Sequence, residues 1–183
     1  MIDPLLSHAI STACALLLLL AAWHKISARD SFTTALGEYR LLPAASLRPA
    51  AVLIPALEAT LGLAWLAGYG LGAVALLTAA LLAVYAAAIA INLWRGRVHI
   101  SCGCGFGGAS GEDQSLSWWL VARNVLLGAV AVLGTLPTSS RDLGPYDWLT
   151  LALALVACGL LYSGASQLMR NGAAIASWRE PRD

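Results

Sequence analysis

Five stretches of the chain are apolar over nearly their whole length, and the polar positions gather between them. A helix that crosses a bilayer needs roughly 17–25 mainly apolar residues. Residues 5–23, 50–67, 71–93, 118–136 and 148–168 approach or meet that length. Only Gly68-Tyr69-Gly70 separates the second stretch from the third, which predicts a tight helical hairpin. The fifth grades into Ser163, Gly164, Ser166 and Gln167, so the pattern predicts about five spans, or four if that segment lies partly in the interface. A cleaved signal peptide carries positive charge ahead of its apolar core. Here Asp3 precedes the first core while Lys25 and Arg29 follow it, so the segment reads as a retained helix.

The link between the first two stretches has a pattern of its own. Phe32, Leu36 and Tyr39 recur at helical spacing, Asp30 or Ser31 can cap, and Pro43 stops the run. An amphipathic helix over 30–42, lying in the membrane interface, fits that pattern; a surface helix that only anchors is the plainer alternative. The expected fold is an all-α, polytopic transmembrane helical bundle over 1–168. It includes this helix and a cysteine loop at 95–117, and a cytoplasmic C-terminal tail follows at 169–183.

Composition points the same way. Of 183 residues, 59% are hydrophobic and 11% charged, with mean hydropathy +0.73. Soluble domains carry about 25% charged residues, so this chain has too few ionised side chains to solvate a globule, and lipid is its natural solvent. A net charge of +1 and the lack of any nucleic-acid motif argue against an RNA or DNA partner. No polar stretch is long enough to hold a separate soluble core. Under the positive-inside rule, Lys25, Arg29, Arg40, Arg48, Arg95, Arg97, Arg170, Arg179 and Arg182 mark the cytoplasmic side, and Arg141 alone lies opposite. The expected topology has the N-terminus outside, the C-terminus in the cytoplasm and the cysteine loop at the cytoplasmic face.

Candidate chemistry is concentrated in that loop, where Cys102 and Cys104 stand in Cys-Gly-Cys-Gly-Phe-Gly-Gly. Glycines allow positive φ and close backbone approach. A disulfide closed across one residue is strained, hence oxidising and readily exchanged. Arg95, Arg97 and His99 favour thiolate over thiol nearby. A redox-active pair is one reading; a permanent staple, two free thiols, or a soft metal site with His99 as third ligand are the others. A closed zinc site wants four ligands, and the neighbouring sequence supplies no fourth, so no metal is assigned. Cys14 and Cys158 lie mid-span, on the order of 15 Å from the loop, where cysteine behaves as a small hydrophobe. Exchange between them and the loop would need a large movement or a mobile carrier such as a quinone.

Glu58 is the costliest residue, a carboxylate in mid-span three residues after Pro55. Intramembrane ionisable groups face the bundle interior and signal function or a structural polar network. Arg123, Asn124 and Asn92 are the expected partners, with a Glu58–Arg123 clamp the simplest pairing. Lys25, at the end of the first helix, is expected to snorkel to the headgroups.

Trp23-His24-Lys25, Phe32, Tyr39-Arg40-Leu41-Leu42-Pro43, Pro55, Glu58, Asn92-Leu93-Trp94-Arg95-Gly96-Arg97, the cysteine loop, and Trp118 through Arg123-Asn124 follow one another in an order that resembles the MauE family of methylamine-utilisation proteins, within the wider DoxX-like membrane group. Members usually read Cys-Gly-Cys-Phe-Gly in the loop, whereas here Gly105 precedes Phe106. The resemblance implies a bacterial inner-membrane protein that acts with a thioredoxin-like, MauD-like partner on the periplasmic side. Its implied client is methylamine dehydrogenase, whose small subunit carries several disulfides and a tryptophan-derived quinone, or a similar protein. Cys102 and Cys104 would be the exchange pair of a thiol-disulfide oxidoreductase. Lys25, Tyr39, Arg40, Glu58, Asn92, Arg95, Arg123 and Asn124 would be its supporting polar network. A non-enzymatic scaffold or chaperone for partner and client is one alternative; another is a quinone-coupled membrane oxidoreductase subunit, with the quinone near Glu58 and Arg123. The periplasmic role implied by the family and the cytoplasmic loop implied by the charges pull in opposite directions.

Overall fold

The computed structural model describes residues 2–68, 71–97 and 116–179, and its regular elements there are six helices. These are α1 (Pro4–Ser27), α2 (Arg29–Tyr39), α3 (Ala44–Ala67), α4 (Leu71–Trp94), α5 (Trp118–Leu133) and α6 (Pro145–Arg179). Among the described residues, three helices are long and apolar enough to cross a membrane: Pro4–Ser27, Ala44–Ala67 and Gly72–Trp94. α5 and the apolar first part of α6, Pro145–Leu161, are shorter. All five apolar stretches are therefore helical, and the polytopic bundle holds. α6 continues as helix past 168 into the segment expected as a tail.

Local chemistry sets the boundaries. The Asp3 side chain accepts from the Leu5 N–H at 2.8 Å and Pro4 opens α1, where its missing N–H is no loss. α2 overlaps the segment expected for the interfacial helix, beginning at Arg29 and ending at Tyr39, short of residue 42. It ends at Arg40, which takes a left-handed φ of 48° and donates its N–H to the Gly37 carbonyl. Pro43, in extended conformation, then starts α3. α4 closes with two bonds, from Gly96 N–H to the Leu93 carbonyl and from Arg97 N–H to the Asn92 carbonyl, both 3.0 Å. That pattern is a Schellman motif, and its turning residue must take a positive φ; Gly96 supplies 72°.

Packing is tightest between α1 and α3 and between α4 and α5. Gly62 makes the first contact possible, because a Cβ there would lie 2.8 Å from Leu19 Cγ and 3.3 Å from the Ala15 carbonyl oxygen. Small residues at such crossings are how helices associate where lipid removes the hydrophobic drive between them. Ala15, Leu18, Leu61, Trp65, Ala75 and Ala131 form the centre of the core. Leu53, Val84, Leu126 and Leu161 are each more than 60% exposed on the outside. A bundle with large apolar side chains outward and small ones between helices is built for lipid.

The two ends of the bundle are distinct. At one end the Ile2 N–H donates to the Pro137 carbonyl and the Ile2 carbonyl accepts from the Ser139 N–H, Arg141 bridges Asp3 and Asp147, and the His8 and Trp148 rings meet at 5.2 Å. The end of α3 joins them, since a Cβ at Gly134 would meet the Trp65 ring at 2.8 Å. The opposite end carries α2, the close of α4 and the start of α5, with the Trp94 and Trp118 rings 6.0 Å apart. Arg29, Arg40, Arg48, Arg95 and Arg97 belong to this second end, so the charges part between the ends as the sequence grouped them.

Candidate functional site

Glu58 is 1% exposed, on the face of α3 that also buries Ala51 and Trp65 at seven-residue spacing. Its Oε1 accepts from Lys25 Nζ and, at 2.7 Å, from the Tyr85 hydroxyl on α4. Glu58 Oε2 has no hydrogen-bond partner among the described residues. Lys25 is itself 5% exposed. It lies over the Tyr85 ring at 5.2 Å and the Phe32 ring at 5.6 Å, so cation–π attraction adds to the ion pair. One buried charge pair thus joins α1, α3 and α4, with α2 covering it through Phe32.

The expected Glu58–Arg123 clamp is corrected by this arrangement, since the carboxylate's cation is Lys25. The expectation that Lys25 snorkels outward is corrected as well. Its stem turns inward because a buried carboxylate offers a stronger partner than headgroup water, and an isolated carboxylate there would be far costlier. Tyr85 was missed, although a signal for it exists. Thr78, Tyr85 and Asn92 recur every seven residues along an otherwise apolar α4 and so share one face. Thr78 accepts from the Trp65 indole N–H at 3.0 Å, which makes a second buried polar tie between α3 and α4.

The remaining polar positions group at the end of the bundle that carries α2. Asn92 and Asn124 are buried, and their amide groups donate back to the Ala88 and Leu120 carbonyls at 3.0 and 2.7 Å. Tyr39 packs with Ile89, Leu116 and Leu120 within a turn of both. Arg123 is half-buried beside Asn124, whereas Arg40 and Arg95 are exposed at the ends of α2 and α4. Cys102, Cys104 and His99 lie outside the described residues, between Arg97 and Leu116. Cys14 and Cys158 are free thiols, the first half-buried in α1 and the second exposed on α6.

A cavity of about 440 Å³ opens beside the ion pair, between α2, α3 and α4. Lys25 and Tyr85 form its polar end, and Phe32, Tyr39, Leu53 and Ile89 are among its apolar walls.

An apolar helical bundle organised around a buried Lys–Glu–Tyr cluster defines a polytopic membrane protein. Residues 3–137 match the family model described as Methylamine utilisation protein MauE, and the chain belongs to that family. It is 36% identical over 132 residues to Methylamine utilization protein MauE of Paracoccus denitrificans, covering 72% of this chain and 69% of the relative. The corresponding protein of Paracoccus versutus is 35% identical, covering 91% and 88%, and that of Methylorubrum extorquens 34% identical, covering 93% and 92%. No solved structure matches. The family match takes in α1 to α5 and leaves α6 outside it.

Proposed function

We propose that this MauE-family membrane protein exchanges electrons through Cys102 and Cys104 with a thioredoxin-like, MauD-like partner, in maturing methylamine dehydrogenase or a similar disulfide-bearing client. The observation that carries the reading is the construction of the bundle end to which the cysteine segment is attached. The Schellman close of α4 launches the segment at Gly96, and buried Leu116 receives it. Asn92, Asn124 and Tyr39 are buried at this end of the bundle. Such an end, with Arg95 and Arg97 at the launch point, suits a reactive pair, because nearby positive charge favours thiolate.

In the exchange, one thiolate of the pair attacks a sulfur of the partner's disulfide and expels the other sulfur as thiolate. The second cysteine then displaces the partner from the mixed disulfide. The pair is left as a disulfide, and the partner holds both electrons and, after protonation, both protons. The reverse sequence runs through the same mixed disulfide. Direct exchange needs the pair and the partner's thiols on one side of the bilayer. The positive-inside asymmetry favours the cytoplasmic side, with the N-terminus outside and the C-terminus cytoplasmic, and the family supports a bacterial inner-membrane location.

Separate Cys102→Ser and Cys104→Ser variants, expressed at normal levels in the membrane, are expected to abolish client maturation. Normal maturation with both would overturn the exchange role and leave a scaffold. A membrane-impermeant thiol reagent on intact cells is expected to leave Cys102 and Cys104 unlabelled until the cells are opened; labelling of intact cells would reverse the orientation.

A further inference from the structure

We propose that the cavity between α2, α3 and α4 is a binding site for a lipophilic quinone, whose ring carbonyl accepts a hydrogen bond from Lys25. Its volume, about 440 Å³, falls in the range of small-molecule pockets, which are mostly apolar with a few convergent polar groups. Lys25 is the group that converges here. It lines the cavity at 5% exposure, and among the described residues its one hydrogen-bond acceptor is Glu58. An ammonium has three donors, so two remain for a ligand at a position from which water is largely excluded.

Charge selects the ligand's head. Lys25 and Glu58 already neutralise one another, so a carboxylate or phosphate would bring an uncompensated charge into an apolar cavity, at high cost. A neutral carbonyl oxygen accepts from the ammonium without upsetting the pair. The walls select the rest. Phe32, Tyr39 and Tyr85 place three aromatic rings on the cavity, and aromatic faces favour a planar conjugated ring over the flexible ester of an acyl lipid. Leu53 and Val84 line the same cavity and are also exposed on the outer surface of the bundle, which gives an isoprenoid chain a way out to lipid.

The test uses the full-length protein in nanodiscs of phosphatidylethanolamine and phosphatidylglycerol, an azido-ubiquinone photolabel, and decyl-ubiquinone as competitor. Labelling is expected to saturate, to be competed, and to map to residues 29–42 or 84–89. Lys25→Met is expected to weaken decyl-ubiquinone competition about tenfold or more, as loss of a hydrogen bond to a charged donor should. Because that variant orphans Glu58, Ala88→Phe serves as the second. It fills the cavity from the α4 wall, leaves the ion pair intact, and is expected to weaken binding at least as much. Uncompeted labelling spread over the outward faces would overturn the proposal. So would unchanged affinity in Ala88→Phe, or a phospholipid retained by the purified protein that decyl-ubiquinone does not displace. A variant with both Cys102→Ser and Cys104→Ser is expected to bind the quinone normally, so this site and the thiol exchange stand or fall separately.

Discussion

Glu58, Lys25 and Tyr85 are where single atoms matter most. Removing one partner of a buried ion pair leaves the other charge uncompensated, at about 3–5 kcal/mol. Lys25→Met is therefore expected to lower the unfolding midpoint in detergent sharply, and Lys25→Met with Glu58→Gln to recover most of the loss. Equal destabilisation by the single and double variants would contradict the pairing. Tyr85→Phe removes one bond to the carboxylate while keeping the ring over Lys25. A loss of about 1 kcal/mol is expected, in line with hydrogen bonds measured within membranes. Glu58 was legible in the sequence because an acid in an apolar run has few innocent explanations. Its partner was not, because counting residues along a helix fixes the depth of a backbone, and a lysine stem reaches several ångströms from it in either direction.

Helices and their ends were more legible than their contacts. Spacing of Phe32, Leu36 and Tyr39 located α2, yet not that Phe32 and Tyr39 are buried against the bundle. That depends on which neighbours lie beneath, which periodicity does not carry. Likewise Asn92 through Arg97 stood out as a motif, and its physical content is the close of α4. Gly96→Ala forces a side chain into the left-handed region at a cost of about 1–2 kcal/mol, and is expected to raise amide exchange at Gly96 and Arg97. Gly62→Val drives a branched side chain into Leu19 and the Ala15 backbone, and about 1–3 kcal/mol of overpacking is expected from the thermal midpoint. At the other end, donation from the Gly144 N–H, then the Arg141 guanidinium, holds the Asp147 carboxyl below its ordinary value. A depressed folded value means the contact contributes above the ordinary aspartate range and is lost as pH falls through the folded value. Protection of the Gly144 N–H, taken against the intrinsic exchange rate at each pH, is expected to fall on that descent, and Asp147→Asn to leave that protection independent of pH in this range.

At the scale of the whole molecule, the family model matches α1 to α5, and α6 packs on α1. Composition alone was enough to identify a lipid-solvated bundle, since so few charges leave no soluble alternative. The segment that holds Cys102 and Cys104 joins the bundle where α4 closes and α5 begins, and that end also carries α2, Arg95 and Arg97. The central claim is that Cys102 and Cys104 exchange disulfides with a thioredoxin-like partner. Its most direct test is to trap the intermediate in cells carrying the partner, by quenching with acid and alkylating under non-reducing conditions. One of the variants Cys102→Ser and Cys104→Ser keeps the attacking thiol and lacks the resolving one. That variant is expected to accumulate a reducible covalent adduct with the thioredoxin-like protein, absent from the double variant. No adduct in either single variant, with both proteins present in the membrane, would contradict the account.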